Sequence, residues 1–521
     1  MSLLHDQLDF ALSAQDSGQY GGVIEPLFVS SAGVGIYVHD STPLYLSVNQ
    51  KQNLICLKGV AGEGSAFTSD PSKAHLRYDI CKARDVTTLW KSMAKKYLKT
   101  PDTAISAQVL HKPIWCTWAK YKGGINQSKV LDFAHQIVKN GLPVSQLEID
   151  DNWTPKYGDM TFDTAKFPNA TDMIKTLSEE GIPVTVWVHP FFNNDSESFG
   201  EFRNISGLVR NAKTGEPALT SWWRGTNNAG MLDVTNEDAV QLFLNKLQDL
   251  KDKYNVTSFK FDAGETNWLP KDYKFNQTQW SPSLYTQKYV HMANMTGGDS
   301  PRQEVRSAYH NQGNGLMVRM LDRASDWSKN RGIKTVIPCA LTFGLMGYPF
   351  VLPDIIGGNA MNQTNLKDQD AVVLPDQELF IRWLQLSTFL PVMQLSVAPW
   401  DYHNQTVVDI TKKFLELHQQ YAHEIERLSI EATTTGYPIV RPVWWNDPTD
   451  KEALTIDSQF LLGDDILVAP VLEKGQRARD IYLPRGNWFD ELRKAPLSGP
   501  GWQRDYSVQL EELPYFTRVK Q

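Results

Sequence analysis

The chain has 521 residues, 41% apolar and 21% charged, the balance of a soluble globular protein long enough for a large core and more than one domain. A formal net charge of −7 without a basic stripe excludes nucleic acid as the main partner, and no apolar run reaches the roughly 18 residues of a membrane span. The four cysteines (Cys56, Cys81, Cys116 and Cys339) are too few for a disulfide scaffold, and no pair has metal-ligand spacing, so no zinc site is expected.

Residues 1 to about 108 alternate short apolar runs with Gly, Ser and Asp turns, as in "GVGIYVHDSTPLYLSVNQKQNLICLKG", and predict an antiparallel β domain that is short for a complete sandwich. Cys56 and Cys81 both fall in it and could pair; Cys116 and Cys339 sit in apolar runs and read as buried free thiols. The rhythm then changes. "KPIWCTWA" predicts a strand, and Ser128 opens a helix with Val130, Phe133, Ala134, Ile137 and Val138 on one face, closed by Gly141. Next come "VSQLEID", a helix over residues 170–180 ending at Gly181, and "IPVTVWVH". A helix capped by Asn236, with Val240, Phe243, Leu244, Leu247 and Leu250 on one face, leads to "VTSFKFD". "EVRSAYH", "LMVRMLD", "YPFVLPD" and, after a helix over 376–389, "PVMQLS" complete eight strand candidates. Near-continuous apolar strands alternating with helices predict a parallel sheet, and eight of them close into a (β/α)8 TIM barrel over residues 109–430. A doubly wound sheet is the alternative, but no GxGxxG follows the first strand. After a helix near 408–429, "PIVRPVWW", "QFLLGDDILVAPVL" and "RDIYLPRGNWFD" predict a C-terminal β domain over 431–521.

Asn-X-Ser/Thr sequons are dense, at Asn126, Asn152, Asn169, Asn194, Asn204, Asn255, Asn276, Asn294, Asn362 and Asn404. Chance gives roughly three or four, so a secretory-pathway lumen or extracellular location is expected. "MSLLHDQLDFALSAQ" has neither a basic n-region nor an unbroken apolar core and does not read as a signal peptide; we read the N-terminus as incomplete.

Functional side chains of a barrel gather at the C-terminal ends of its strands. There stand Glu148, Asp150 and Asp151; Trp187 and His189; Lys260, Asp262 and Glu265; Arg306 and His310; Arg319 and Asp322; and Asp354. Any one alone reads equally well as a cap of the next helix. Together they suit an uncharged polyhydroxylated ligand, because carboxylates accept from sugar hydroxyls, Arg donates and Trp packs on the ring; the chain's 16 Trp fit the same use. No phosphate cradle or metal-ligand set competes, so no cofactor is expected. The expected partner is an oligosaccharide or glycoconjugate substrate, and a homo-oligomer is compatible with the sequence.

"FKFDAGE" and "RMLDRASDW" resemble the catalytic regions of glycoside hydrolase family 31, the retaining α-glycosidases. The resemblance runs on through "QLEIDDNW", "VTVWVHPF", "SWWRG", "EVRSAY", "GYPFVLPDIIGGN", "IRWLQLSTFLPVMQ" and "DSQFLLGDDILVAPV". It implies a nucleophile at Asp262, which closes the fourth strand in a K-x-D-x-x-E pattern, and an acid/base at Asp322, five residues before Trp327. Asp326 competes for the second role. The family's substrate-binding Arg, sixteen residues before the acid/base, matches Arg306, and a Trp at the sugar ring matches Trp223. Glu148, Asp150, Asp151, Trp187, Lys260 and Arg319 complete the expected substrate-binding set. The family's glucosidases carry Trp where this chain has Lys260 and Arg319, and a His at the end of the eighth strand where "MQLSVAPW" has none. These departures imply an α-galactoside rather than an α-glucoside, with an α-glucosidase, an α-xylosidase or a catalytically silent sugar-binding protein as alternatives. The mechanism implied is double displacement with carboxyl groups about 5–5.5 Å apart. Asp322 is expected to hold its proton near neutral or mildly acid pH through partial desolvation or the field of Asp262.

Overall fold

The computed structural model describes residues 7–11, 22–49, 54–62, 65, 67, 74–277, 281–361 and 372–519; the Asn362 sequon lies outside them. Its centre is an eight-stranded parallel sheet. We label its strands β1 (Ile114–Cys116), β2 (Gln146–Ile149), β3 (Val184–Val188), β4 (Ser258–Phe261), β5 (Glu304–Val305), β6 (Met317–Arg319), β7 (Val351–Leu352) and β8 (Gln394–Leu395). Neighbours pair in chain order from β1 to β7, and β8 pairs with β1. A parallel bridge between Ile355 and Gln394 brings β7 to β8 and closes the barrel, as the strand count predicts.

The helices that matter below are α1 (Val86–Tyr97) and α2 (Ala107–His111) ahead of β1; α3 (Gln127–Lys139), α4 (Ala170–Glu179) and α5 (Glu237–Tyr254) after β1, β2 and β3; α6 (Ser283–Asn294) after β4; α7 (Val336–Leu345) and α8 (Gln377–Ser387) after β6 and β7; and α9 (Gln405–Thr435) after β8. α3 buries Val130, Phe133, Ala134 and Ile137. Phe133 meets Trp115 of β1 edge to face at 5.7 Å. Each such large side chain contributes about 1.5–3 kcal/mol when fully buried. Two details differ from the sequence expectation. Val138 is 53% exposed, one position past the apolar stripe. Asn126, not Ser128, caps the helix by accepting from the Lys129 amide, while the Ser128 hydroxyl donates to Asn126.

No helix stands between β5 and β6; residues 306–316 instead form a short strand, Ala308–Tyr309, which pairs in parallel with Val23–Ile24 of the N-terminal part. The rest of that part is two small antiparallel sheets. Cys56 and Cys81 lie in different ones, Leu54–Gly59 and Tyr78–Lys82, and all four cysteines are free thiols, so the possible Cys56–Cys81 pairing does not occur. Cys116 is buried, whereas Cys339 is only partly so. After α9, a six-stranded antiparallel sheet in the order Val440–Arg441, Phe460–Leu462, Ile466–Val468, Tyr515–Arg518, Ala478–Asp490, Ala495–Ser507 forms the C-terminal part.

His310 fastens the N-terminal strands to the barrel. Its Nδ1 lies 2.9 Å from the buried Glu25 and its Nε2 2.9 Å from Asp40. Both contacts are ionic by distance but off the hydrogen-bond line. Glu25 also accepts from the His310 amide at 2.7 Å and the Tyr348 hydroxyl at 2.6 Å. Burial alone would lower the imidazole pKa; Asp40 and Glu25 outweigh it and push it up to about 10. A raised imidazole stabilises fully below its unfolded pKa, near 6.5, and the contribution is lost as pH rises through the folded value. His310→Gln should therefore melt several degrees below the parent at pH 6, and the gap should shrink toward pH 10. Thermal melts at both pH values check this, and an equal gap at both would remove the ionic account.

Candidate active site

Strand alternation builds the site. Along β4, Ser258 and Lys260, with Asp262 just beyond, share one face of the strand, while Phe259 and Phe261 occupy the other. On β2 the same period aligns Gln146 and Glu148 with Asp150. The strand-end turn at "DAGE" is left-handed at Ala263 (φ 58°) and Gly264 (φ 90°). A side chain at Gly264 would fall 2.5 Å from Ser307 Oγ and from the Tyr289 ring, so glycine is required there. Tyr289 donates to the Asp262 carbonyl at 2.8 Å and fixes the turn.

The barrel interior is a lattice of ions. Lys260 Nζ lies 3.2 Å from Asp150, 3.4 Å from Glu304 and 3.6 Å from Glu148. Gln394 of β8 donates to Glu148 at 2.7 Å and to Glu304 at 3.1 Å. Arg319 reaches Asp262 at 3.0 Å with Nη2, and Asp322 at 2.9 Å and Asp354 at 3.3 Å with Nη1. Arg306 contacts Asp262 at 3.2 Å and grips Glu265 at 2.6 Å. Trp187 Nε1 donates to the other Asp262 oxygen at 2.9 Å. Seven carboxyl groups thus face three cations.

An excess of buried carboxyls must keep some protons. Burial, then the nearby Glu304, pushes Glu148 up to about 8. Burial pushes Asp354 up to about 6 despite Arg319. At Asp262 burial also raises the pKa, but Arg306 and Arg319 outweigh it and hold the carboxyl below its ordinary value. At Asp322 burial is overcome by Arg319 and then Arg306, and the carboxyl lies well below the carboxylate range. In the free site Asp322 is therefore ionised, contrary to the sequence expectation. Its guanidinium partners outweigh both the desolvation and the field of Asp262.

A cavity of about 270 Å3 opens above these groups, lined in part by Asp150, Asp151, Trp187, Trp223, Lys260, Asp262, Arg306, Arg319 and Asp322. Of the residues expected in the substrate-binding set, only Glu148 lies outside the lining, below Lys260. Trp223 stands over the Arg306 guanidinium at 4.9 Å, edge-on to Trp268 at 5.2 Å. Asp151 receives Arg224 Nε at 2.7 Å and the Tyr157 hydroxyl at 2.8 Å; burial nevertheless pushes it up to about 6. His310 serves the N-terminal contact instead. His189 sits among Trp187, Trp222 and Phe191, and burial lowers it to about 3, so it is neutral. Asp326 is not in the lining; it holds a turn, accepting from the Ser328 amide at 2.9 Å.

The sequence reading missed Trp118, Trp268, Arg331, Asn359 and Met361 in the lining, and Arg224 behind Asp151. Trp118 follows the end of β1, so the strand-end rule applied to that strand would have found it. Arg331 donates to the Asp322 carbonyl at 3.0 Å from a loop with no periodic signal.

A closed barrel with acidic pairs, guanidinium groups and tryptophans around a cavity at its C-terminal rim defines a carbohydrate-active barrel of the glycoside hydrolase class. The chain belongs to glycosyl hydrolase family 31: the profile of its TIM-barrel domain matches residues 113–423 and that of its C-terminal domain residues 436–520. Myogenesis-regulating glycosidase of Mus musculus is 41% identical over 504 residues, covering 96% of this chain and 69% of the relative. SITS-binding protein of Tetronarce californica is 27% identical, with the same coverage of 96% and 69%. A crystal structure of a family 31 α-xylosidase from a soil metagenome, complexed with xylose, shares the fold with TM-score 0.80 and 24% identity, covering 98% of this chain and 75% of its own.

Proposed function

We propose that this family 31 protein is a retaining α-galactosidase acting on a terminal α-galactose of an oligosaccharide or glycoconjugate. One observation carries the reading: Asp262 and Asp322, on consecutive guanidinium nitrogens of Arg319, both face the same cavity. In the first step an Asp262 oxygen bonds to the anomeric carbon, the glycosidic C–O bond breaks, and the Asp322 proton passes to the leaving oxygen. In the second, water gives a proton to Asp322 and its oxygen to the anomeric carbon, and the bond to Asp262 breaks. The ionised Asp322 of the free site suits the second step. For the first it must gain a proton. A sugar ring over the site raises its pKa by displacing water from a side chain that is 30% exposed and by drawing Arg306 toward the substrate hydroxyls.

The galactose preference rests on Lys260 and Arg319 standing where the family's glucosidases carry Trp, and on Asp150 and Asp151 lining the cavity as acceptors for an axial 4-hydroxyl and O6. Glucose would leave such acceptors unpaired. An aryl α-galactoside should be cleaved on the order of 100-fold or more faster than the matched α-glucoside or α-xyloside. Proton NMR in early turnover should show the α anomer of the sugar first. Faster α-glucoside cleavage would overturn the sugar alone; the β anomer first would overturn the double displacement. Sugar binding without turnover predicts no cleavage of any of the three.

A secretory location is part of the proposal, supported by the exposed sequon residues Asn194, Asn204 and Asn276. Asn126, Asn169 and Asn404 also cap helices, so part of the sequon density has a local structural cause.

A further inference from the structure

We propose that His111, His423 and Glu426 form a zinc-type divalent metal site on the side of the barrel away from the active site. The three ligand atoms lie within 4.8 Å of one another. His111 Nε2 is 2.8 Å and His423 Nδ1 3.9 Å from the same Glu426 Oε2. A tetrahedral ion with arms of 2.0–2.1 Å holds its donors about 3.3 Å apart, so side-chain torsion alone can seat one. Two imidazoles and one carboxylate are the donor set of Zn2+ and its transition-metal neighbours, whereas Ca2+ and Mg2+ take oxygen.

The frame holding these donors is rigid. His423 and Glu426 are three residues apart on α9, a helix of 31 residues, and so share one face. His111 is the last residue of α2, and the backbone just before it packs on α9: the buried His418 sets its ring nitrogens 2.9 Å from the Leu110 carbonyl and 2.8 Å from the Thr388 carbonyl, donating to one of them. The His111 and His423 rings stand 5.3 Å apart and nearly perpendicular. His423 is 90% exposed, which leaves an entry path and room for water as a further ligand. The ion would displace the proton between His111 Nε2 and Glu426, which moves to Nδ1 of the ring or to solvent. Cysteine spacing could not reveal this site, because its ligands carry no thiol and His111 and Glu426 are 315 positions apart.

Its place in the fold gives it a role. α2 leads directly into β1, and α9 follows β8, so the ion would clamp the first and last elements of the barrel together. The effect is on stability, independent of the sugar chemistry. The full chain, stripped with a chelator, should bind Zn2+ alone at one ion per chain in calorimetry. Its melting temperature should rise by a few degrees at Zn2+ about a hundredfold above Kd. Co2+ should give the visible absorption of a low-coordinate nitrogen and oxygen site. His423→Ala, on an exposed side chain that folding does not need, should weaken Zn2+ at least about tenfold, and Glu426→Gln should do the same. A parent chain whose melt and titration ignore Zn2+ would overturn the site. So would a His423→Ala chain that titrates like the parent, since the ion would then sit elsewhere, for example on the exposed Cys56.

Discussion

Asp262→Asn is expected to fold like the parent and to lose turnover by on the order of 10,000-fold or more, because an amide cannot form the glycosyl ester. The fold should survive for a specific reason. Asp262 belongs to a lattice in which seven carboxyls share three cations, so removing one negative charge gives up the attraction to Arg306 and Arg319 that holds its pKa down but strands neither cation. Arg306 keeps Glu265, and Arg319 keeps Glu304, Asp322 and Asp354. The asparagine still offers an oxygen to Trp187 Nε1, where Asp262 now accepts at 2.9 Å. A cooperative melt somewhat below that of the parent, together with turnover of an activated aryl glycoside at background, is the expected pair of results. A folded variant at near-parent rate would remove Asp262 from the nucleophile role.

The strands of this fold were legible because parallel-barrel strands are buried on both faces and read as apolar runs. The polar exceptions within those runs, Lys260 and Glu148 among them, are the interior lattice. The "DAGE" turn was legible for a related reason: a strand that stops at Asp and passes through Ala263 and Gly264 in left-handed conformations places a carboxyl on the rim. What the sequence hid depends on tertiary contact. α1 follows a stretch of strands, and its N-cap, Asp85, accepts from Thr88, a local signal overshadowed by the β pattern around it. The missing helix between β5 and β6 leaves no trace in composition, because Ala308–Tyr309 within that connection pairs instead with Val23–Ile24. Protonation was the least legible property. The chain shows that Asp322 is acidic, but not that Arg319 of its own strand end and Arg306 of the neighbouring one would converge on it.

That convergence shapes the last prediction, on Asp322. Asp322→Ala should depress substrates with poor leaving groups by about 100- to 10,000-fold, the range of general acid catalysis, and spare the first step for activated aryl glycosides. For the latter, azide should restore rate and yield an α-glycosyl azide, since the anion needs no base to attack the Asp262 ester. Asp326→Ala is the control. Asp326 holds the Ser328 turn rather than facing the cavity, so its variant should show neither azide rescue nor leaving-group dependence. The reverse pattern would exchange the two roles. The parent pH profile supplies an independent check. kcat/KM reports groups of the free enzyme, and the general acid must be protonated there. With Asp322 held below the ordinary carboxylate range, kcat/KM should peak on the acid side of neutral and fall as pH rises. In Asp322→Ala, with an activated substrate, that descending limb should vanish, because the group whose deprotonation caused it is gone.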